Sequence, residues 1–481
     1  MEEYTNENPR PINPRRRKRD KMKIFKEAYL PVIIAGAALL LILIFVIGSI
    51  RRGMSSGKEN KEASIAASIS IENEQKRLAN EAAELLVEAE RFANGYDYKS
   101  AIDVIDRFSG DINNFEDLKT ARAQYESLLS SMAAFEDPSQ VLNLSFQLLI
   151  ADPDRAFNDG TYGSAYNRNF ITCEEFRQIL QQMYEAGYML VSLDDFTKTT
   201  TDSEGLTIYA PKTLYLPEGK KPLILTQTGV NYNTYMVDGD GDGFADKNGS
   251  GFASKLIVDE NGSLVNEMVD KDGNTVTGAY DLVPILEAFI AEHPDFSYNG
   301  ARAILAVTGY DGLFGYRTNA SAKNRLGEEA YNNEVAGATT IVNALREAGY
   351  DFACYSYGNS NVGNISYNDV SSTEIQSDLS YWDTEVVPIL GDTDILVFSR
   401  NDIGDDSSYS GEKFNILFSA GFRYYIGFCS TNSTWATVSN DYVRQGRIMV
   451  SGSNLAYHAD WFEGMFDASA ILDSSRGDIP S

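Results

Sequence analysis

Hydrophobic positions follow three regimes along the chain. Residues 29–50, YLPVIIAGAALLLILIFVIGSI, carry no charge. As a helix rising about 1.5 Å per residue they would span roughly 33 Å, enough to cross a bilayer core. Between 72 and 135 apolar residues recur at helical spacing. Leu78, Ala82, Leu85, Leu86, Ala89 and Phe92 mark one helix, and Tyr98, Ala101, Ile102, Ile105 and Phe108 a second. Phe115, Leu118, Ala121, Tyr125, Leu128 and Leu129 mark a third. From about residue 140 short apolar runs appear at 189–193, 223–226, 303–307, 352–356, 394–398, 424–428 and 447–450. Helical stretches separate most of them, at 172–187, 281–293, 333–348, 372–389 and 412–420. The alternation predicts a parallel sheet covered by helices, and the number of runs suits an α/β fold, an irregular (β/α) barrel over residues 140–475.

Flanking charge orients the apolar run. PRRRKRDKMKIFK precedes it, and positive residues stay on the cytoplasmic side. Arg51 and Arg52 follow the run, but the basic excess lies upstream. The run is longer than a usual signal-peptide core and lacks a clean small-residue cleavage pattern. The expectation is a single-pass plasma-membrane protein with a basic cytoplasmic tail at 1–28 and an uncleaved signal anchor at 29–50. A Ser, Ala and Lys-rich linker at 51–71 then leads to an extracellular bulk.

Charge narrows the partners. The chain has 69 acidic and 41 basic residues, a formal net charge of −28, so nucleic acid is not an expected partner. Cys173, Cys354 and Cys429 are too few and too scattered for a disulfide framework or a metal knuckle, and read as buried apolar residues. The stretch EAERFANGYDYKSAIDVIDRF resembles a tetratricopeptide helix pair. Segment 72–135 is therefore read as a helical stalk, with binding of a protein partner as the alternative.

In a barrel, chemistry gathers where strands end. Four ends stand out: TQTG at 226–229, TGYDG at 308–312, YSYGN at 355–359 and SRNDIGD at 399–405. The first closes a buried run with two hydroxyls and an amide and offers no carboxylate. LILTQTGVNY, with REAGYDFACYSYGNSN two strands later and FITCEEFRQILQQMYEAGYMLVSLDDF upstream, resembles the polysaccharide deacetylase family, carbohydrate esterase family 4, over roughly 140–470. The resemblance implies a divalent metal held by one Asp and two His, which polarises an acetamide carbonyl and activates water, with a neighbouring Asp as base. On this chain Thr228 stands at the base position and Gly229 at the metal-binding Asp position, while Tyr355 and Asn359 stand at the two His positions. Glycine cannot coordinate, and un-ionised Tyr and Asn are poor ligands beside imidazole. What the resemblance then implies is a degenerate member, a pseudoenzyme without catalytic Zn2+, whose cleft binds cell-envelope glycan.

Tyr232, Tyr310, Tyr316, Tyr355, Tyr357, Tyr424 and Tyr425 are candidate stacking faces for sugars, with Asp311, Arg317 and Asn359 as hydrogen-bond partners. The alternative is an active envelope hydrolase, an N-deacetylase or a glycosidase-like enzyme. It would use Asp311, Asp402 and Asp405 as acid and base, or His458 as acid, whereas His293 reads as a helix-end residue. A third reading places the function in the stalk. Separately, VDGDGDGFADKNGSG sets Asp238, Asp240, Asp242, the Phe244 carbonyl and Asp246 at the ligand spacing of a calcium loop, with Gly243 at its turn. The last ligand position holds Gly249, so Asp259 or Glu260 would have to complete a Ca2+ site that stiffens an acidic insertion at 237–278.

Overall fold

The computed structural model describes residues 58–203, 205, 207–359, 364–400, 402–403, 409–429 and 432–480. The basic tail at 1–28, the apolar run at 29–50 and Asp405 lie outside the described residues. Among those described, no helix is long and apolar enough to cross a membrane. The chain divides into two compact units, one helical and one built around strands.

Helices α1 (Lys58–Asn94), α2 (Tyr98–Ile105) and α3 (Glu116–Ser130) make the helical unit. Ala82, Ala89, Ile102, Ile105, Leu118 and Tyr125 are buried, so the apolar stripes supply its core. Tyr98 stacks on Tyr125 with centroids 6.2 Å apart, and Phe108 meets Phe115 edge-on at 4.8 Å. Arg107 pairs with Glu88 at 2.6 Å and Arg122 with Asp106 at 2.7 Å. These pairs are exposed and contribute little beside the packing.

The second unit contains eight parallel strands. They are β1 (Leu142–Phe146), β2 (Tyr188–Leu190), β3 (Lys221–Thr228), β4 (Ile304–Val307), β5 (Asp351–Cys354), β6 (Ile395–Val397), β7 (Tyr424–Phe428) and β8 (Val443–Met449). Strands β3 to β8 pair in chain order, and β1 closes the ring between β8 and β3. The result is a closed seven-strand α/β barrel. Strand β2 stands outside the ring and pairs with the start of β3, where Leu190 lies opposite Leu223. Parallel neighbours need long crossovers. These carry α4 (Cys173–Glu185), α5 (Leu282–Glu292), α6 (Glu328–Ala348), α7 (Ser372–Tyr381) and α8 (Glu412–Ser419). A reciprocal cap between Thr172 and Glu175 starts α4.

Alternation along the strands sorts side chains into two cores. Leu144, Phe146, Leu225, Leu305, Val307 and Phe352 point outward into the helical layer, whereas Ile224, Ile304, Ala306, Ala353, Val397 and Ile426 fill the barrel. Residues Leu193, Phe196, Tyr209, Leu214 and Leu216 belong to the inner core and plug the end where strands begin. The expected runs do not include β1, because its inward positions are polar: Asn143 and Ser145. Asn143 Nδ2 donates to Gln445 Oε1 at 3.0 Å, Thr226 Oγ1 donates to Asn143 Oδ1 at 2.9 Å, and Gln445 Nε2 donates to the Val141 carbonyl at 3.0 Å. Each group finds its partner inside the ring, which is the condition for burying it. All three cysteines are buried and free, in line with the sequence.

Candidate functional site

The C-terminal ends of the strands carry the residues singled out by sequence. Thr228 ends β3 facing the barrel interior, buried, with Oγ1 donating to the Phe146 carbonyl at 3.2 Å. Gly229 follows with φ +71°, its amide on the Ala306 carbonyl at 2.8 Å, and open space where a Cβ would stand. Tyr355 follows β5, holds the Val307 carbonyl through its amide at 2.9 Å and packs half-buried on the inner core. Asn359 lines a cavity of about 440 Å³ with Asn364, Ser366, Asp369 and Tyr381. None of Thr228, Gly229, Tyr355 and Asn359 brings a carboxylate or an imidazole.

Several expected contacts take other roles. Tyr232 is not a stacking face: its ring is enclosed, its hydroxyl donates to Asp281 at 2.7 Å, and Asn266 donates to that hydroxyl at 3.1 Å. Asp281 also accepts from the Leu149 amide at 2.9 Å and from Gln227 Nε2 at 2.7 Å, and burial raises its pKa. Asp311 accepts from the amide of Thr234 at 2.6 Å and from its hydroxyl at 3.0 Å, and pairs with Arg317 at 3.5 Å. Arg317 is itself buried and donates to the Tyr232 carbonyl at 2.8 Å, so both side chains hold loops together. Asp402 pairs with Arg444 at 2.7 Å and accepts from Tyr409. Tyr424 and Tyr425 are buried, Tyr424 at the strand-start end of the ring with its hydroxyl on Asp194 at 3.0 Å. His458 is exposed and stacks on Trp461 at 4.5 Å, and His293 packs on Tyr184 at 4.4 Å.

The structure adds aromatic residues that sequence reasoning missed. Tyr162 and Tyr235 are 41 % and 47 % exposed and lie 5.5 Å apart. Tyr310 neighbours Tyr235, and burial followed by Tyr235 and Asp311 raises its pKa. Its amide bonds the Tyr357 carbonyl at 3.1 Å, which joins it to a second platform. There Tyr357 stacks on Tyr381 at 5.3 Å, with Tyr381 53 % exposed. Tyr357 is fixed by its hydroxyl on Glu385 at 2.7 Å and by its amide on Asp378 at 2.7 Å. Loops after β1, β3, β4 and β5, with the last residue of α7, thus set these ring faces, and Tyr381 lines the polar cavity. Their signal in sequence is slight: isolated tyrosines in turn-rich stretches such as GTYGSAY and NYNTYMVDG.

In the acidic loop, carboxylate oxygens of Asp238, Asp240 and Asp246 lie within 4.8 Å of one another. Asp238 accepts from the amides of Gly241 and Gly243, both at 2.6 Å. The Asp242 amide pulls the Asp240 pKa down, but burial and the neighbouring carboxylates outweigh it, so the pKa is raised. Asp242 stands outside this convergence and caps the Phe244 amide at 2.9 Å. Asp259 does not complete the set, because it accepts from Asn261 and Ser263 in its own hairpin turn. The Gly249 carbonyl is taken by Arg155 at 2.9 Å.

Fold and site together define an α/β barrel whose C-terminal face presents aromatic platforms. No protein-family model matches the chain, and neither does any curated protein or solved structure.

Proposed function

We propose that the barrel is a catalytically degenerate relative of the polysaccharide deacetylases that binds or scaffolds cell-envelope glycan from outside the cell, held at the plasma membrane through residues 29–50. One observation carries the reading: strand ends without metal ligands lie in the same barrel face as exposed tyrosine platforms and a polar cavity. Sugar rings offer an apolar C–H face to an aromatic ring and hydroxyls to polar neighbours, and the two features side by side suit that pairing. Asp311 and Asp402 are each committed to an arginine, which argues against their use as an acid and base pair. Titration calorimetry of the full chain with an N-acetylglucosamine tetramer tests the reading. Tyr235→Ala and Tyr381→Ala should each weaken binding roughly tenfold, as truncating a central aromatic does. Acetate release by the unmodified protein with Zn2+ supplied would sink it.

The same reading gives the acidic loop a structural Ca2+ held by Asp238, Asp240 and Asp246. Calcium at a hundred times its Kd should then stabilise the protein by about 2.7 kcal/mol. Asp240→Asn should abolish the rise in Tm, and an unmoved Tm in the unmodified protein would exclude the site.

A further inference from the structure

Above the barrel's inner core lies a layer of polar side chains that the aromatic platforms do not use. Thr228, Thr308, Tyr355 and Arg447 continue the inward phase of β3, β4, β5 and β8, each two residues beyond Thr226, Ala306, Ala353 and Gln445. Arg447 is 1 % exposed. Its Nη1 donates to the carbonyls of Ile426 at 3.1 Å and Gly427 at 3.3 Å, its Nη2 to that of Phe398 at 2.7 Å, and its guanidinium lies 3.9 Å from the Phe428 ring centroid. Two buried polar atoms in this layer have no partner: Arg447 Nε and Thr308 Oγ1.

We propose that this layer receives a compact anion, a carboxylate carried by the glycan bound at the barrel face. The inference rests on the glycan reading. It is carried by a contrast among the protein's own arginines. Arg476 meets Glu175 at 2.6 Å, Arg302 meets Glu287 at 2.6 Å, and Arg444 meets Asp402 at 2.7 Å. Arg447 is as deeply enclosed as any of them, yet among the described residues no carboxylate pairs with it. Carbonyl dipoles and one ring face solvate a guanidinium incompletely, and a buried cation calls for an anion. Burial lowers the Arg447 pKa to about 10, and the groups that oppose this are Tyr355 and Cys429.

Donor counting points the same way. A guanidinium carries five N–H groups and accepts nothing; Thr228 spends its one O–H on the Phe146 carbonyl, so the donors left are Arg447 Nε–H and the hydroxyls of Thr308 and Tyr355. A carboxylate, which only accepts, complements this set, and its two oxygens fit an arginine edge. Tyr355 is the half-buried member of the layer, and a Cβ at Gly229, next to Thr228, would meet open space.

The test compares two tetramers on the full chain by calorimetry: N-acetylglucosamine throughout, and the same backbone with a lactyl ether carboxylate on alternate residues. The carboxylated tetramer should bind at least tenfold tighter. Converting its carboxylate to the carboxamide should erase the preference, as should Arg447→Gln. Thr308→Val keeps the side-chain shape, so it remains informative if Arg447→Gln fails to fold, and it should cut the preference at least threefold while leaving the neutral tetramer's affinity unchanged. Equal affinity for the two tetramers overturns the anion site and leaves the glycan reading standing. Binding of neither overturns both.

Discussion

At the end of the ring where strands begin, Asp195 is buried and Asp351 and Asp394 are half-buried, whereas the opposite end holds Arg447, Tyr355 and two threonines. Burial raises the carboxyl pKa of Asp195 to about 6, and burial with Asp194, Asp394 and Asp195 nearby does the same for Asp351. A cavity of about 640 Å³ also opens at this end, lined by Asp351, Asp383, Asp392 and Asp394. Perturbed acids and a large cavity together would ordinarily mark an active site. Here they sit away from the strand-end loops. The raised pKa values of these acids follow from burial and like charge, while the loop-bearing end carries the exposed tyrosine rings, with Asp311 and Asp402 each paired to an arginine. The comparison teaches that one barrel can gather mutually repelling acids at one end and exposed aromatic rings with a buried, unpaired arginine at the other.

The polar interior between the two ends is the place to break the comparison. Gln445→Leu would leave Asn143 Nδ2 and the Val141 carbonyl without partners. At about 2 kcal/mol for each buried group, the loss should approach 4 kcal/mol, read by chemical denaturation as a shift of midpoint. A loss below about 1 kcal/mol would show that the network is solvated by other means.

A smaller effect sharpens the comparison through pH. Asp195 has a folded pKa of about 6, raised from an ordinary 3.8. Its contribution is therefore most favourable below pH 3.8 and is lost as pH rises through 6, because the unfolded chain releases the proton first. Two units correspond to about 3 kcal/mol. Asp195→Asn should thus gain stability relative to the parent between pH 4 and pH 7, and a difference that stays flat across that range would remove Asp195 from the account. Asp351 has the same sign and adds to the parent's slope.

Much of the barrel was legible in sequence because its inward and outward positions are both apolar over most strands. Runs such as 303–307 and 424–428 fall on β4 and β7. Strand β1 escaped because Asn143 and Ser145 face inward, and only the partners on β3 and β8 make that burial tolerable. The site was legible at its strand ends and illegible at its rim. Thr228, Gly229 and Tyr355 follow apolar runs, so their placement comes from periodicity. Tyr162, Tyr235 and Tyr381 take their exposure from loop and helix packing that no local pattern encodes. Tyr232 fails as a ligand face for the converse reason: its partner Asp281 lies 49 positions away.

Ring closure by β1 imposes a delay on the growing chain. The bond between Asn143 and Gln445 joins residues 302 positions apart. At about 5–20 residues per second, β1 waits roughly 15 to 60 s for its second neighbour. Meanwhile β1 keeps one unpaired edge, the surface by which strands recruit the wrong partner. The loops that carry the platform tyrosines are all made before β8, so the face they stand on is complete only when the last strand of the ring arrives.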